Sequence, residues 1–291
     1  MSKWTYFEAQ QWAINQLADT GMDLQSPAFI LSMIHDWTYT QLISHNRETM
    51  PDDEVVRYQK AVQQIANHVP PQYVVGKAPF FGRTFIVNQD VLIPESETEE
   101  LIEWVLNYYA DDQPLNVLDL GTGSGVIGIT LALERPNWQV TLSDISPAAL
   151  RVAKANQRLH GTNLRQIESD LFAQIDDQYD LIVTNPPYID HQEVGLMDQA
   201  VKEYVPPLAL YANEHGLGIY RRIFEEAGKC LKVGGQIFGE TGFNQEVTIQ
   251  ALLNRIAPQA NIETRHDING NMRMIRVWDL LANCRMRLAS H

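Results

Sequence analysis

The chain has 291 residues, 45% hydrophobic and 20% charged, a globular mixture whose length gives a prior near two domains. Against 22 basic residues stand 36 acidic ones, a net charge of −14 that argues against a protein holding nucleic acid mainly by neutralising phosphates. The two cysteines, Cys230 and Cys284, lie far apart and in no ligand spacing, so neither a disulfide framework nor a zinc cluster is expected. No apolar run approaches the roughly 18 residues of a membrane helix. The opening MSKWTYFEAQQW lacks a basic region followed by an apolar stretch, so no signal peptide and a cytoplasmic location are expected.

Residues 1–71 read as helical. Trp4, Phe7, Ile14 and Leu17 fit an apolar face loosely; Phe29, Ile30, Met33, Ile34 and Trp37 fit a second one better. Val55, Val56, Val62, Ile65, Ala66 and Val69 mark a third helix, stopped by Pro70-Pro71. Residues 72–98 change character: Phe80, Phe81, Phe85, Ile86, Val87, Val91, Leu92 and Ile93 are β-formers broken by Gly82, which predicts a hairpin linking two domains.

From residue 99 to 282 helices and strands alternate. A helix from Leu101 to Tyr109 precedes a strand at Asn116–Leu120. A helix from about Gly125 to Arg135 is followed by a strand at Gln139–Ser143. Ser146 caps the next helix, with Pro147 at its first position and Gly161 past its end. Strands are expected at Leu164–Glu168, Tyr179–Thr184 and Gln236–Glu240, with a helix from about Gly216 to Leu231 before the last. Such alternation means an α/β fold with a mostly parallel sheet, helices on both faces. Asn269-Gly270 between Ile262–Ile268 and Met272–Trp278 predicts a closing antiparallel hairpin, which is not the usual dinucleotide-binding layout. Residues 283–291 read as a frayed tail.

Three motifs carry chemistry. In Val117–Gly125 a strand runs into a glycine turn and a helix, whose free N–H groups and open backbone admit a ligand. Gly123, Gly125 and Gly128 match a G-x-G-x-x-G spacing that alone is weak. Asp119 at the strand's end reads equally as a ligand contact or as a carboxylate that orders the loop. Asp144 ends the next strand, where an acid accepts hydrogen bonds from ribose hydroxyls, so an adenosine ligand is expected. Asn185-Pro186-Pro187-Tyr188 decides the chemistry. The prolines stiffen the corner and remove donors, so that backbone carbonyls serve as fixed acceptors. An Asn carbonyl and one such carbonyl grip both hydrogens of a planar –NH₂, and Tyr188 stacks on its face. That arrangement fits methylation of an amide or aryl amine: two accepted hydrogen bonds return electron density to a delocalised nitrogen and aim it, with no metal required. The histidines are scattered and read as surface or satisfied residues.

At this point the sequence resembles the release-factor glutamine methyltransferases (PrmC/HemK) over nearly its whole length. The matching segments are PQYVVGKAPFFGRTFIVNQDVLIPESETEELIE, VLDLGTGSGVIGITLALERP, SDISPAALRVAKAN, SDLF, YDLIVTNPPYI, EYVPPLALYANEHGLGIYRRI and LKVGGQIFGETG. The resemblance implies a class I methyltransferase fold, Rossmann-like with seven strands, behind a helical substrate-recognition domain. It implies transfer from S-adenosyl-L-methionine, leaving S-adenosyl-L-homocysteine, to the glutamine amide of the Gly-Gly-Gln motif in peptide-chain release factors. On matching positions, Asp119, Gly121, Thr122, Gly123, Ser124 and Gly125 line the donor, Asp144 holds its ribose and Leu171 lies near its adenine. Asn185 also reaches the donor, and Asn185, Pro186, Pro187 and Tyr188 hold the glutamine amide, with Asn185, Pro186 and Tyr188 as the catalytic set. A monomer working without nucleic acid or membrane is expected. The chain departs from the family where Leu-Ile-Pro-Arg-Pro-Glu-Thr-Glu is usual, having Glu95 and Ser96 for Arg-Pro, and where an aromatic often precedes Phe172.

Three other readings stand beside this one. Methylation of the adenine amine in DNA or RNA uses the same acceptor logic, but the acidic charge and the lack of a basic target domain count against it. A binding or scaffold module without turnover is conceivable from Glu95 and Ser96. A nicotinamide-dependent dehydrogenase is weakest, since nothing near the glycine turn offers a proton relay.

Overall fold

The computed structural model describes residues 4–190, 192, 195 and 199–280. They divide into two units. One is built chiefly from the first 78 residues, the other chiefly from Asp90 onward; Pro79–Ile86 group with the second, and Val87–Gln89 with the first.

The first unit carries α1 (Tyr6–Leu17), α2 (Ser26–His35), α3 (Tyr39–His45), α4 (Asp52–Ala66) and α5 (Pro71–Val75). Thr5 starts α1 through a reciprocal cap: its hydroxyl accepts from Glu8 N–H (3.2 Å) and Glu8 accepts from Thr5 N–H (2.8 Å). The buried stripe of α1 is Tyr6, Ala9, Ala13 and Leu17, which packs in one cluster with Ile30, Leu31, Tyr58, Val62 and Ile65. This displaces the predicted face. Phe7 is 52% exposed and Val56 50%, while Ala9, Ala13 and Ala61 take buried positions in the cluster. Asp36 takes a left-handed conformation (φ 53°) and ends α2, so Trp37 lies beyond the helix. Its ring stacks between His35 (4.0 Å) and His45 (4.2 Å). Glu54, buried in this unit, accepts from Tyr6 O–H (3.0 Å) and lies 2.5 Å from His35 Nε2, so this one of the scattered histidines is satisfied. The third helix ends at Ala66, with His68 left-handed (φ 64°), and Pro71 opens α5 instead of stopping α4.

β1 (Lys77–Phe80) and β2 (Arg83–Ile86) form the expected hairpin, turned by Phe81 and Gly82, both at positive φ. It is shorter than predicted, since Val91, Leu92 and Ile93 form no strand and α6 (Ser96–Tyr108) begins five residues before the predicted Leu101.

The second unit then runs β3 (Asn116–Leu120), α7 (Val126–Glu134), β4 (Gln139–Asp144), α8 (Pro147–Leu159), β5 (Arg165–Glu168) and β6 (Tyr179–Thr184). After α9 (Gln199–Tyr204), which groups with the first unit, follow α10 (Gly218–Glu226), β7 (Leu231–Glu240), α11 (Glu246–Ile256), β8 (Asn261–His266) and β9 (Met272–Trp278). The predicted long helix to Leu231 stops at Glu226, and β7 starts early because Leu231 pairs with Tyr179 ahead of a register shift. In the seven-stranded sheet the order is β5-β4-β3-β6-β7-β9-β8. Strands β5 through β7 are parallel, while β9 is antiparallel to both β7 and β8. Two apolar clusters cover its faces: one holds Trp104, Val117, Ile129, Leu142 and Phe238, the other Leu118, Ile182, Tyr220, Ile237 and Ile275. Connections leave β3 toward β4 on one side and β6 pairs on the other, so the reversal of strand order opens a crevice at the carboxyl ends of β3 and β6. Cys230 is buried, its thiol pushed up to about 12 by desolvation; Cys284, the tail 283–291 and the last two residues of the predicted 99–282 domain lie outside the described residues.

Candidate active site

A cavity of about 320 Å³ lies at that crevice, within the second unit. Four successive strand ends supply its walls: Leu120–Ser124 after β3, Asp144–Ser146 after β4, Ser169–Leu171 after β5 and Thr184–Pro187 after β6. The segment Asp90–Glu95 and Thr98 add a further wall.

The glycine turn is shaped by two opposite demands. At Gly121 (φ 73°) and Gly123 (φ 54°) a Cβ would meet nothing within 4 Å, so the backbone lies open to the cavity they line. At Gly128 a Cβ would stand 2.2 Å from Leu142 Cδ2 and 2.9 Å from Asp119 Oδ2, so only glycine lets α7 sit this close to the sheet. Asp119 itself is fully buried and is absent from the cavity lining. Its Oδ2 accepts from Thr122 O–H (2.5 Å) and Gly128 N–H (2.8 Å). This corrects the ligand-contact assignment: the carboxylate ties the turn to α7. Desolvation raises its pKa to about 7, against the pull of the Thr122 and Gly128 hydrogen bonds. Gly125 is likewise off the cavity, held by α7, where a Cβ would come within 2.8 Å of Ile129 Cδ1.

Asp144 does line the cavity. Gly123 N–H donates to its Oδ2 and Ser146 N–H to its Oδ1, each at 2.8 Å, so the carboxylate is braced between the turn and the start of α8. Burial raises its pKa, while those backbone donors lower it. Leu171 lines the cavity with a left-handed backbone (φ 48°), its carbonyl held by Ser169 O–H at 2.7 Å.

The corner after β6 presents Asn185, Pro186 and Pro187 to the cavity. Asn185 Nδ2 donates to Thr98 Oγ1 (3.1 Å), and Thr98 O–H donates to Glu240 Oε2 (2.6 Å). Among the described residues no donor pairs with Asn185 Oδ1 or with the Pro186 carbonyl. The Tyr188 carbonyl, by contrast, is taken by Gln245 Nε2 at 2.8 Å. Tyr188 is half-buried next to this corner, and its hydroxyl donates to Glu240 Oε1 at 3.0 Å. Sequence reading missed Glu240 and Thr98. The available signal was an acid inside the apolar strand QIFGE, which β6–β7 pairing (Thr184 opposite Gly239) sets beside Asn185. Desolvation raises Glu240 to about 7; Thr98 pulls it down, Glu95 pushes it up, and Tyr188 and Arg273 pull it down.

A parallel sheet closed by an antiparallel hairpin, with a glycine turn, an acid and an Asn-Pro-Pro corner at strand ends around one cavity, defines a class I methyltransferase. Comparison with known proteins agrees. Residues 103–205 match the family model "Methyltransferase small domain" and residues 8–76 match "PrmC N-terminal domain". Release factor glutamine methyltransferase of Enterococcus faecalis is 38% identical, covering 92% of this chain and 97% of that one. Those of Streptococcus pneumoniae (39%, covering 91% and 95%) and Bacillus subtilis (36%, covering 93% and 96%) are similarly alike. In fold, a Pyrococcus furiosus methyltransferase superposes with TM-score 0.51 at 15% identity, over 78% of this chain and 98% of that one. The chain belongs to the release factor glutamine methyltransferase family, and its enzymes are S-adenosylmethionine-dependent.

Proposed function

We propose that this protein methylates the side-chain amide nitrogen of the glutamine in the Gly-Gly-Gln loop of a peptide-chain release factor. The observation that carries the reading is the pair of acceptors that find no donor among the described residues, Asn185 Oδ1 and Pro186 O, at the wall of the donor-sized cavity. A primary amide has two N–H hydrogens, and two acceptors on a rigid corner hold both. An amide nitrogen is a weak nucleophile because its lone pair is shared with the carbonyl. Two accepted hydrogen bonds oppose that sharing, and fixed geometry lowers the entropic part of the barrier.

The residues present fit S-adenosylmethionine. Asp144 accepts from the ribose hydroxyls, Ile145 and Leu171 offer apolar surface to the base, and the open backbone of Gly121 and Gly123 admits the amino-acid portion. A volume of about 320 Å³ falls within the range of ligand sites. The bound donor supplies a methyl carbon on positively charged sulfur. The glutamine nitrogen attacks that carbon, the N–C bond forms as the C–S bond breaks, the electron pair stays on sulfur, and a nitrogen proton leaves to water. Asn185 and Pro186 hold the nitrogen during attack, Pro187 stiffens the corner, and Tyr188, its hydroxyl tied to Glu240, offers its ring to the face of the amide.

The test is incubation with labelled S-adenosylmethionine and a release factor, alongside the same factor with its loop glutamine changed to alanine. Label in the first and none in the second is expected. Label in both, or transfer to DNA instead, sinks the reading.

A further inference from the structure

Between Glu240 and Asn185 stands a single hydroxyl. Thr98 Oγ1 is 2.6 Å from Glu240 Oε2 and 3.1 Å from Asn185 Nδ2, and it carries one proton. Above its raised pKa Glu240 is an ionised carboxylate, and in that state it only accepts hydrogen bonds. The Thr98 proton therefore points at Glu240, and the Thr98 oxygen meets Asn185 only as an acceptor. Asn185 must then turn its –NH₂ toward Thr98, which leaves Oδ1 for the cavity. A donor presented to Thr98 from the Glu240 position lets Thr98 donate to Asn185 Oδ1, and –NH₂ then faces the incoming amide, donor against donor. The chain is shielded from water at both far members, since Glu240 is 0% and Thr98 3% exposed. Its anchor is rigid: Tyr188 O–H holds the other carboxylate oxygen (3.0 Å), and Tyr220 O–H holds the Glu240 backbone carbonyl (2.5 Å).

We propose that Glu240, acting through Thr98, is the positioning residue that sets which end of the Asn185 carboxamide faces the acceptor nitrogen. The inference rests on the preceding reading of Asn185 as the group that grips the acceptor amide. Its physical basis is that carboxamide oxygen and nitrogen occupy nearly the same volume, so shape alone does not choose between the two orientations. Hydrogen-bond polarity does. A buried group of fixed polarity two links away makes that choice without touching substrate.

The decisive experiment measures kcat, KM for a release-factor substrate and donor Kd in Glu240→Gln, Thr98→Val and Thr98→Ser, with Asn185→Ala in the same assay. Glu240→Gln keeps the shape and introduces an N–H; Thr98→Val keeps the shape and removes the hydroxyl; Thr98→Ser keeps the hydroxyl. The expected result is a loss of about tenfold or more in kcat for the first two, with donor Kd within about threefold, and near-normal kcat for Thr98→Ser. Wild-type kcat in Glu240→Gln and Thr98→Val overturns the proposal, as does an equal loss in Thr98→Ser and Thr98→Val, which would show packing at work. Should Glu240→Gln fail to fold, the two Thr98 variants decide alone. Asn185→Ala reports separately on the underlying reading. If it retains turnover, that reading fails; if it loses turnover while Glu240→Gln and Thr98→Val keep it, only the present proposal fails.

Discussion

Asn185 and Asp144 share one cavity but have separable duties. On the proposed reading Asn185→Ala removes a contact to the acceptor amide, so kcat should drop about 100-fold while donor affinity changes about twofold or less. Equal loss of both in a combined kinetic and calorimetric measurement would count against its assigned role. On the same reading Asp144→Ala removes a charged acceptor from the donor's ribose, and calorimetry should show donor Kd rising about tenfold or more. An unchanged Kd would contradict the ribose assignment. Glu240 adds a conflict between stability and activity. Its carboxyl is raised to about 7 by burial, so its stabilising contribution is full below the ordinary carboxylate range and is lost as pH rises through about 7. Melting curves of Glu240→Gln and wild type should therefore diverge in favour of the variant between pH 5 and 8, by as much as about 3 kcal/mol. The ionised state that costs stability is the one that polarises the hydrogen-bond chain toward Asn185.

Elements place these groups through close approaches that tolerate little change. α7 rests on β3 and β4 at Gly128, where a Cβ would be 2.2 Å from Leu142 Cδ2. Gly128→Ala should lower stability by about 1–3 kcal/mol through overpacking and weaken donor binding, because Gly128 N–H and Thr122 share the Asp119 carboxylate that holds the turn. Denaturant titration with and without donor checks both parts, and a variant as stable as wild type would show that α7 can shift outward freely. The Ser146 cap and Pro147 were legible before any coordinates, since a side-chain acceptor and a preset φ need only neighbours in sequence. The phase of α1 was not, because Tyr6, Ala9, Ala13 and Leu17 are selected by what α2 and α4 bring against them. Leu231 illustrates the same limit: it reads as the end of a helix, and pairing with Tyr179 makes it the start of a strand.

At the scale of the whole molecule, every lining residue of the cavity belongs to the second unit. Hydrogen exchange with saturating donor should accordingly slow amides around Gly121–Ser124 and Ile145, and leave those of α1–α4 unchanged, since a ligand stabilises what it binds. Protection spread evenly over both units would contradict this division. The acidic balance of the chain is compatible with a positively charged partner loop but selects no particular one.

The sequence alone determined what local chemistry and period can carry: the alternation of strands and helices, the glycine turn, the acid after the second strand, the Asn-Pro-Pro corner and the family they spell together. Most of the cavity wall, from Gly121 through Asp144 and Leu171 to Pro187, was legible for that reason. Tertiary structure decided the rest. Asp119 and Asp144 are both acids at strand ends in the sequence. Only the approach of α7 turns the first into a buried tie, while the opening beside α8 leaves the second facing the cavity. Thr98 and Glu240 lie 142 residues apart, and no spacing rule joins them. Parallel pairing of β6 with β7 and the entry of α6 bring both against Asn185, because partners across a fold are chosen by packing rather than by distance along the chain.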